Sequence, residues 1–167
     1  MNKQSALVAG SEAHTMELTS IVTAAIISLA PNLSEETVGR YASDIVAASQ
    51  GEGTDLALAM VATQDAESSW RPEVEDCRVT GDGGAAVSMW QLHKHWYSGR
   101  TRAEVCASNT LAASFAASAL IALSHRTGGL RGALRSYIGC RPGDPRSVKR
   151  IRTFDRLLAA ARLAEAS

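Results

Sequence analysis

The stretch LALAMVATQDAESSW occupies residues 56–70. Its first eight residues carry no charge and show no polar stripe. A helix of that kind is buried all round, so other elements have to pack about it. The pattern predicts a helix that starts at Thr54 or Asp55 and delivers Gln64, Asp65 and Glu67 to its C-terminal end. Partial burial disfavours an ionised carboxyl there, and so does the negative end of the helix dipole. Both favour a proton held near neutral pH, the property a general acid needs. Asp65 and Glu67 project from different sides of such a helix, which places one of them towards the surface. Glu67 is the sharper candidate, although a Glu at a helix end is more commonly just solvated.

The 167 residues are 46% apolar, 20% charged and only 5% aromatic, which fits one globular domain with a real core. Abundant alanine and few aromatics favour closely packed helices over a β-sandwich. Lys+Arg and Asp+Glu both number 17, so bulk charge names no partner. The opening MNKQSALVAGSEAH lacks the apolar core of a secretory signal. Residues 1–15 read as a flexible arm and 16–167 as a single domain. The uncharged run 18–30 is shorter than the roughly 20 residues of a membrane span. Its apolar residues Leu18, Ile21, Val22, Ala25, Ile26 and Leu29 fall on one helical face, so it packs rather than inserts.

Pro31 closes this first helix. Ser34, followed by Glu35 and Glu36, reads as the cap of a second, with Val38, Tyr41, Ala42, Ile45 and Val46 inward and Gly51 and Gly53 at its end. Residues 71–108 look irregular, with a short hairpin near the turn Gly81-Asp82-Gly83-Gly84. No Lys-Ser/Thr follows those glycines, so the turn is no phosphate loop. A further helix, capped by Asn109 or Thr110, is expected to bury Leu111, Phe115, Ala119, Ala122 and Leu123. A short one follows over 130–138. Asp144-Pro145 starts the last helix, whose inner stripe reads Val148, Ile151, Phe154, Leu158 and Ala161. Its Arg146, Lys149, Arg150, Arg152 and Arg156 read as a solvated face or as an attraction for acidic groups. No nucleic-acid motif accompanies them.

The stretch 65–96 holds all three tryptophans and two of the four histidines, the makings of a cleft. Trp70 suits a role in burying Glu67; Trp90 or Trp96 can offer a flat face to a sugar ring. His93 and His95 have no third ligand at zinc spacing, so no metal is expected and His93 is placed on the cleft rim. Cys77, Cys106 and Cys140 are an odd set. Either all three are reduced, or Cys77 and Cys106, which bracket the hairpin, form a disulfide and Cys140 stays free.

Three motifs in order resemble a known family. Glu67-Ser68-Ser69-Trp70-Arg71-Pro72 is similar to the Glu-Ser-x-aromatic-x-Pro signature of soluble lytic transglycosylases and goose-type lysozymes. Val87-Ser88-Met89-Trp90-Gln91 resembles their second motif, usually Gly-Leu-Met-Gln. Ser136-Tyr137-Ile138-Gly139 resembles their third, usually Ala-Tyr-Asn-x-Gly. The resemblance covers about residues 36–140. It implies a mostly α, lysozyme-like α+β fold: a helical bundle around a buried central helix, with a small β-hairpin lobe beside the cleft. It also implies a cofactor-free glycosidase of peptidoglycan glycan strands. Glu67 is then the acid/base acting between N-acetylmuramic acid and N-acetylglucosamine. Ser68 supports it, Gln91 lines the cleft wall, and Tyr137 positions Glu67 or the substrate's acetamido group. Three departures stand out: Ser88 replaces glycine and narrows a subsite, Ile138 replaces asparagine, and the loop from Glu67 to Gln91 is long. A lysozyme ordinarily uses two carboxylates. Asp82 is the better-placed second carboxylate and Asp76 the next. Without one, the acetamido group attacks, and an anhydro or a reducing sugar results. Such an enzyme acts in the periplasm or cell wall, delivered by a virion, a holin or a dedicated export machine. The rival is an inactive wall-binding or structural virion protein.

Overall fold

The computed structural model describes residues 3–137 and 143–166, with side chains from His14 onward. It is mostly helical, with one small two-stranded antiparallel sheet. Ile138, Gly139 and Cys140, which carry the end of the third motif and the expected free thiol, lie outside the described residues.

The apolar run becomes α3 (Gly53–Ser68), and every residue from Leu56 to Asp65 is buried. Four long helices surround it: α1 (Lys3–Leu29), α2 (Glu35–Ser49), α6 (Asn109–Thr127) and α8 (Pro145–Glu165), with the short α7 (Leu130–Ser136) beside them. A helix with no polar face has to sit at such a centre, because any side turned to water would expose hydrocarbon at roughly 25 cal/mol per Å².

The helix ends follow their local chemistry. Ser34 caps α2 by accepting the Thr37 N–H, and Asp144 caps α8 by accepting the Arg146 N–H at 2.8 Å, with Pro145 in the first turn. The cap of α6 is Ser108, which accepts the Leu111 N–H; the expected caps Asn109 and Thr110 instead hold Asp44 of α2 at 2.6 and 2.5 Å. The helix α1 begins at Lys3, where an arm was expected over 1–15. Only one glycine and no proline interrupt residues 3–15, so nothing local stops the helix.

Two inner faces differ from the expected stripes. In α6 the buried residues are Ala112, Ala113, Ala116, Ala117, Ala119, Leu120 and Leu123. Leu111 and Phe115 are only partly buried, and Ala122 is exposed. Small side chains let α6 approach α2 and α3 closely, and the larger ones fill its edges. In α8 the inner face carries Ser147, Arg150, Thr153, Phe154, Leu157, Leu158 and Ala161. Val148 and Ile151 are displaced to half-buried positions.

The segment between α3 and α6 forms a separate lobe. It contains α4 (Pro72–Glu75), a 3₁₀ turn at Asp82–Gly84, β1 (Ala86–Val87) paired with β2 (Leu92–His93), a second 3₁₀ turn at Lys94–Tyr97, and α5 (Arg102–Ala107). The hairpin was expected; the two short helices were not. Thr101 and Glu104 cap α5 reciprocally. Glu75 ties α4 to α2 by accepting from the Arg40 guanidinium and from the Tyr41 hydroxyl at 2.7 Å. Cys77 and Cys106 form a disulfide across the lobe, their Cα atoms 5.6 Å apart.

Candidate functional site

The last turn of α3 presents its acids on opposite sides. Asp65 accepts from the Trp70 indole N–H at 3.2 Å and from the Lys149 ammonium at 3.0 Å. It borders a cavity of about 360 Å³ shared with the turn at 31–33, Ser69, Trp70 and Lys149. Glu67 turns the other way, into the protein. Its Oε1 accepts from Nη1 of Arg150, and Oε2 lies 4.0 Å from Nη1 of Arg146. The Glu67 side chain is 1% exposed and that of Arg150 is 0% exposed.

Arg150 was grouped with the cations of a solvated or acid-attracting helix face, but it is fully buried. The cap at Asp144 sets the register of α8, and residue 150 falls on the inner face one turn before Phe154. A buried guanidinium has to satisfy its donors. Nε donates to the Leu134 carbonyl at 2.9 Å and Nη2 to the Tyr137 carbonyl at 3.1 Å, both groups of α7 and its end. Lys149 is also engaged, with Asp65, whereas Arg152 and Arg156 face outward.

Burial pushes the Glu67 carboxyl above the ordinary carboxylate range; the charges of Arg150 and then Arg146 pull it down without cancelling that rise. The acid therefore keeps a proton to higher pH than a surface Glu. Burial likewise raises Tyr137, helped by the neighbouring Glu67 charge, so its hydroxyl stays protonated. That hydroxyl donates to the Trp90 carbonyl at 3.1 Å. A continuous chain of contacts thus runs Glu67–Arg150–Tyr137–Trp90 and joins all three sequence motifs.

The second motif is a tight turn. Ser88 has φ 66° and Gln91 φ 49°, both left-handed. The Ser88 carbonyl accepts the Gln91 backbone N–H at 3.0 Å and the Gln91 side-chain amide at 3.1 Å. A left-handed φ at Ser88 gives a physical reason for glycine in the motif it resembles. Gln91 is buried, and its Oε1 fills the space a Cβ on Gly81 would need. The side chain therefore braces the lobe turn. Ser88 is buried as well, with its N–H on Cys77 Sγ at 3.3 Å.

Trp90 is fully buried and donates its indole N–H to the Met60 carbonyl at 3.3 Å, so it offers no face to a ligand. Trp96 keeps partial exposure, with its ring centroid 4.8 Å from that of His95. Ser68 donates to the Gln64 carbonyl at 2.7 Å and accepts the Trp70 N–H at 3.1 Å, which supports the left-handed exit through Ser69 and Trp70. Asp82 Oδ2 lies 3.0 Å from His93 Nε2 on the lobe, so these two candidates meet each other. Asp76 is taken up by Arg78, whose backbone N–H holds its carboxyl below the ordinary range. Among the described residues, no three His, Cys, Asp or Glu side chains converge as a metal site requires.

Two further buried polar groups escaped the sequence reading. Arg150 was legible only by counting three back from Thr153 and four back from Phe154. Gln64 shares the Glu67 face one turn earlier, and neither atom of its amide has a hydrogen-bond partner among the described residues.

No family model matches the chain, and no curated protein or solved structure matches it either.

Proposed function

We propose that the protein cleaves the β-1,4 bond between N-acetylmuramic acid and N-acetylglucosamine in peptidoglycan, with Glu67 as proton donor. The observation that carries this reading is a carboxyl at the end of a buried helix, held by a fixed cation and pushed by burial above the ordinary carboxylate range. The three ordered motifs meeting around it add support. Glu67 protonates the glycosidic oxygen, and the C–O bond breaks with its electron pair going to that oxygen. Tyr137 holds the Trp90–Gln91 turn against the acid. With Asp82 turned to His93 and Asp76 to Arg78, attack by the substrate's own acetamido group is the favoured route, which makes the protein a lytic transglycosylase or a substrate-assisted muramidase.

The Cys77–Cys106 disulfide suits work outside a reducing cytoplasm, in the periplasm or cell wall. Among the described residues no helix is long and apolar enough to cross a membrane.

One observation favours a second reading. The sealed Glu67–Arg150 pair is also what an inactive, wall-binding or structural relative would keep. Purified peptidoglycan incubated with wild type and with Glu67→Gln separates the two. The enzyme releases soluble muropeptides and the variant does not; anhydro or reducing ends name the reaction. A wild type that binds the sacculus and releases nothing establishes the second reading.

A further inference from the structure

We propose that Arg150 is the positioning residue of the Glu67 acid: it makes Oε1 the hydrogen-bond acceptor and leaves Oε2 as the oxygen that carries the transferable proton. This rests on the reading of Glu67 as proton donor.

The geometry carries it. Guanidinium groups are planar, permanently charged and have donors only. Arg150 is anchored at Nε by the Leu134 carbonyl and at Nη2 by the Tyr137 carbonyl, so the Nη1 donor that meets Oε1 is fixed in direction. A hydrogen on Oε1 would point at hydrogens of that donor. Oε2 accepts no hydrogen bond among the described residues: Arg146 Nη1, on a half-exposed side chain, stands 4.0 Å from it, beyond hydrogen-bond distance. Among the described residues, the other charged and titratable groups that act on Glu67 or answer to it are Asp144 at the start of α8 and Tyr137 after α7. Lys149 is turned to Asp65 across α3. When the proton leaves Oε2 for the glycosidic oxygen, the O–H electron pair stays on the carboxylate. The cation that stabilises this new charge already stands against it and does not have to move.

The test uses the full chain as wild type, Arg150→Gln and Arg150→Lys, with two readouts. One is the ¹³C NMR titration of the Glu67 carboxyl, which needs no activity. The other is the pH–rate profile of muropeptide release. In Arg150→Gln the carboxyl titration and the alkaline limb of the rate move together to higher pH, because a cation that favoured the carboxylate is gone. In Arg150→Lys the charge is kept and the titration stays nearer wild type. Its ammonium cannot hold Oε1 and both carbonyls at once, so kcat falls by about 10–100-fold with KM within about twofold. A Glu67 titration in Arg150→Gln that coincides with wild type overturns the proposal, as does a wild-type kcat in Arg150→Lys. Should Arg150→Gln fail to fold, the Lys variant decides alone. Absence of muropeptide release by wild type sinks the glycosidase reading only, and the NMR titration still decides which charge Glu67 answers to.

Discussion

Arg150 on α8 and Glu67 on α3 meet inside the protein, both side chains closed off from solvent. Their losses are not equivalent. Glu67→Leu leaves a guanidinium that cannot shed its proton, whereas Arg150→Met leaves a carboxyl that can take one. Glu67→Leu is therefore expected to cost about 3–5 kcal/mol of stability. A double-mutant cycle by chemical denaturation at neutral pH should give a coupling of about 2–3 kcal/mol that shrinks on acidification. Additive single effects would show that the pair contributes nothing beyond packing.

The same burial makes stability depend on pH in an unusual direction for a carboxyl. The folded-state Glu67 holds its proton more tightly than the ordinary carboxyl value of 4.5. Its stabilising contribution is then fully present below that value and is lost as pH rises through the folded value. Thermal melts of wild type and Glu67→Gln across the mildly acidic range should diverge with rising pH, the wild type losing ground. Parallel curves would mean that Arg150 and Arg146 cancel the burial.

Trp90 is expected to behave as a core residue. Truncation to Ala should cost about 3–5 kcal/mol. Trp90→Phe keeps most of the packing and loses the hydrogen bond to Met60, at about 1 kcal/mol. In fluorescence titrations with chitin oligosaccharides, Trp90→Phe should retain any quenching that wild type shows. If quenching disappears with Trp90, a ligand reaches a side chain that the fold encloses.

What was legible in the residues was local. The buried α3 shows as an uncharged run, and the caps at Ser34 and Asp144 have side chains that bond within three residues. Glu67 is legible as a helix-end acid. Arg150 is not, because an arginine beside Lys149 and Arg152 reads as surface, and its partner lies 83 residues earlier in the chain. The inner face of α6 was displaced for a related reason. Leu111 and Phe115 look more like core than alanine does, yet close helix approach selects the alanines. Trp90 and Gln91 were expected to meet sugar, but the positive φ values of their turn direct both side chains inward.

That turn yields its own prediction. A β-carbon at φ 66° costs about 1–2 kcal/mol, and among the described residues the Ser88 hydroxyl meets only the Trp90 N–H, at 3.4 Å. Ser88→Gly should therefore be at least as stable as wild type, with a melting temperature equal or higher. Ser88→Val should lose about 1–3 kcal/mol, because a branched side chain fits neither the backbone nor the buried space. A destabilised Ser88→Gly would show that the hydroxyl matters more than the strain.

The disulfide bears on the same turn through the Ser88 N–H that rests on Cys77 Sγ at 3.3 Å. Its cysteines are 29 residues apart, and a bridge closing a loop of that size contributes roughly 3–4 kcal/mol by restricting the unfolded chain. Replacing both cysteines by serine should lower stability by about that amount. It should also loosen the 77–106 lobe more than the helical bundle, because α3 and its neighbours do not depend on the bridge. Hydrogen exchange resolves the two regions: amides of the Ser88–Gln91 turn should lose protection well before those of α3. Intact mass with and without reductant tests the bridge itself through a shift of about two daltons. An unchanged mass, or equal loss of protection in α3 and the lobe, would remove the disulfide as the brace of the second motif.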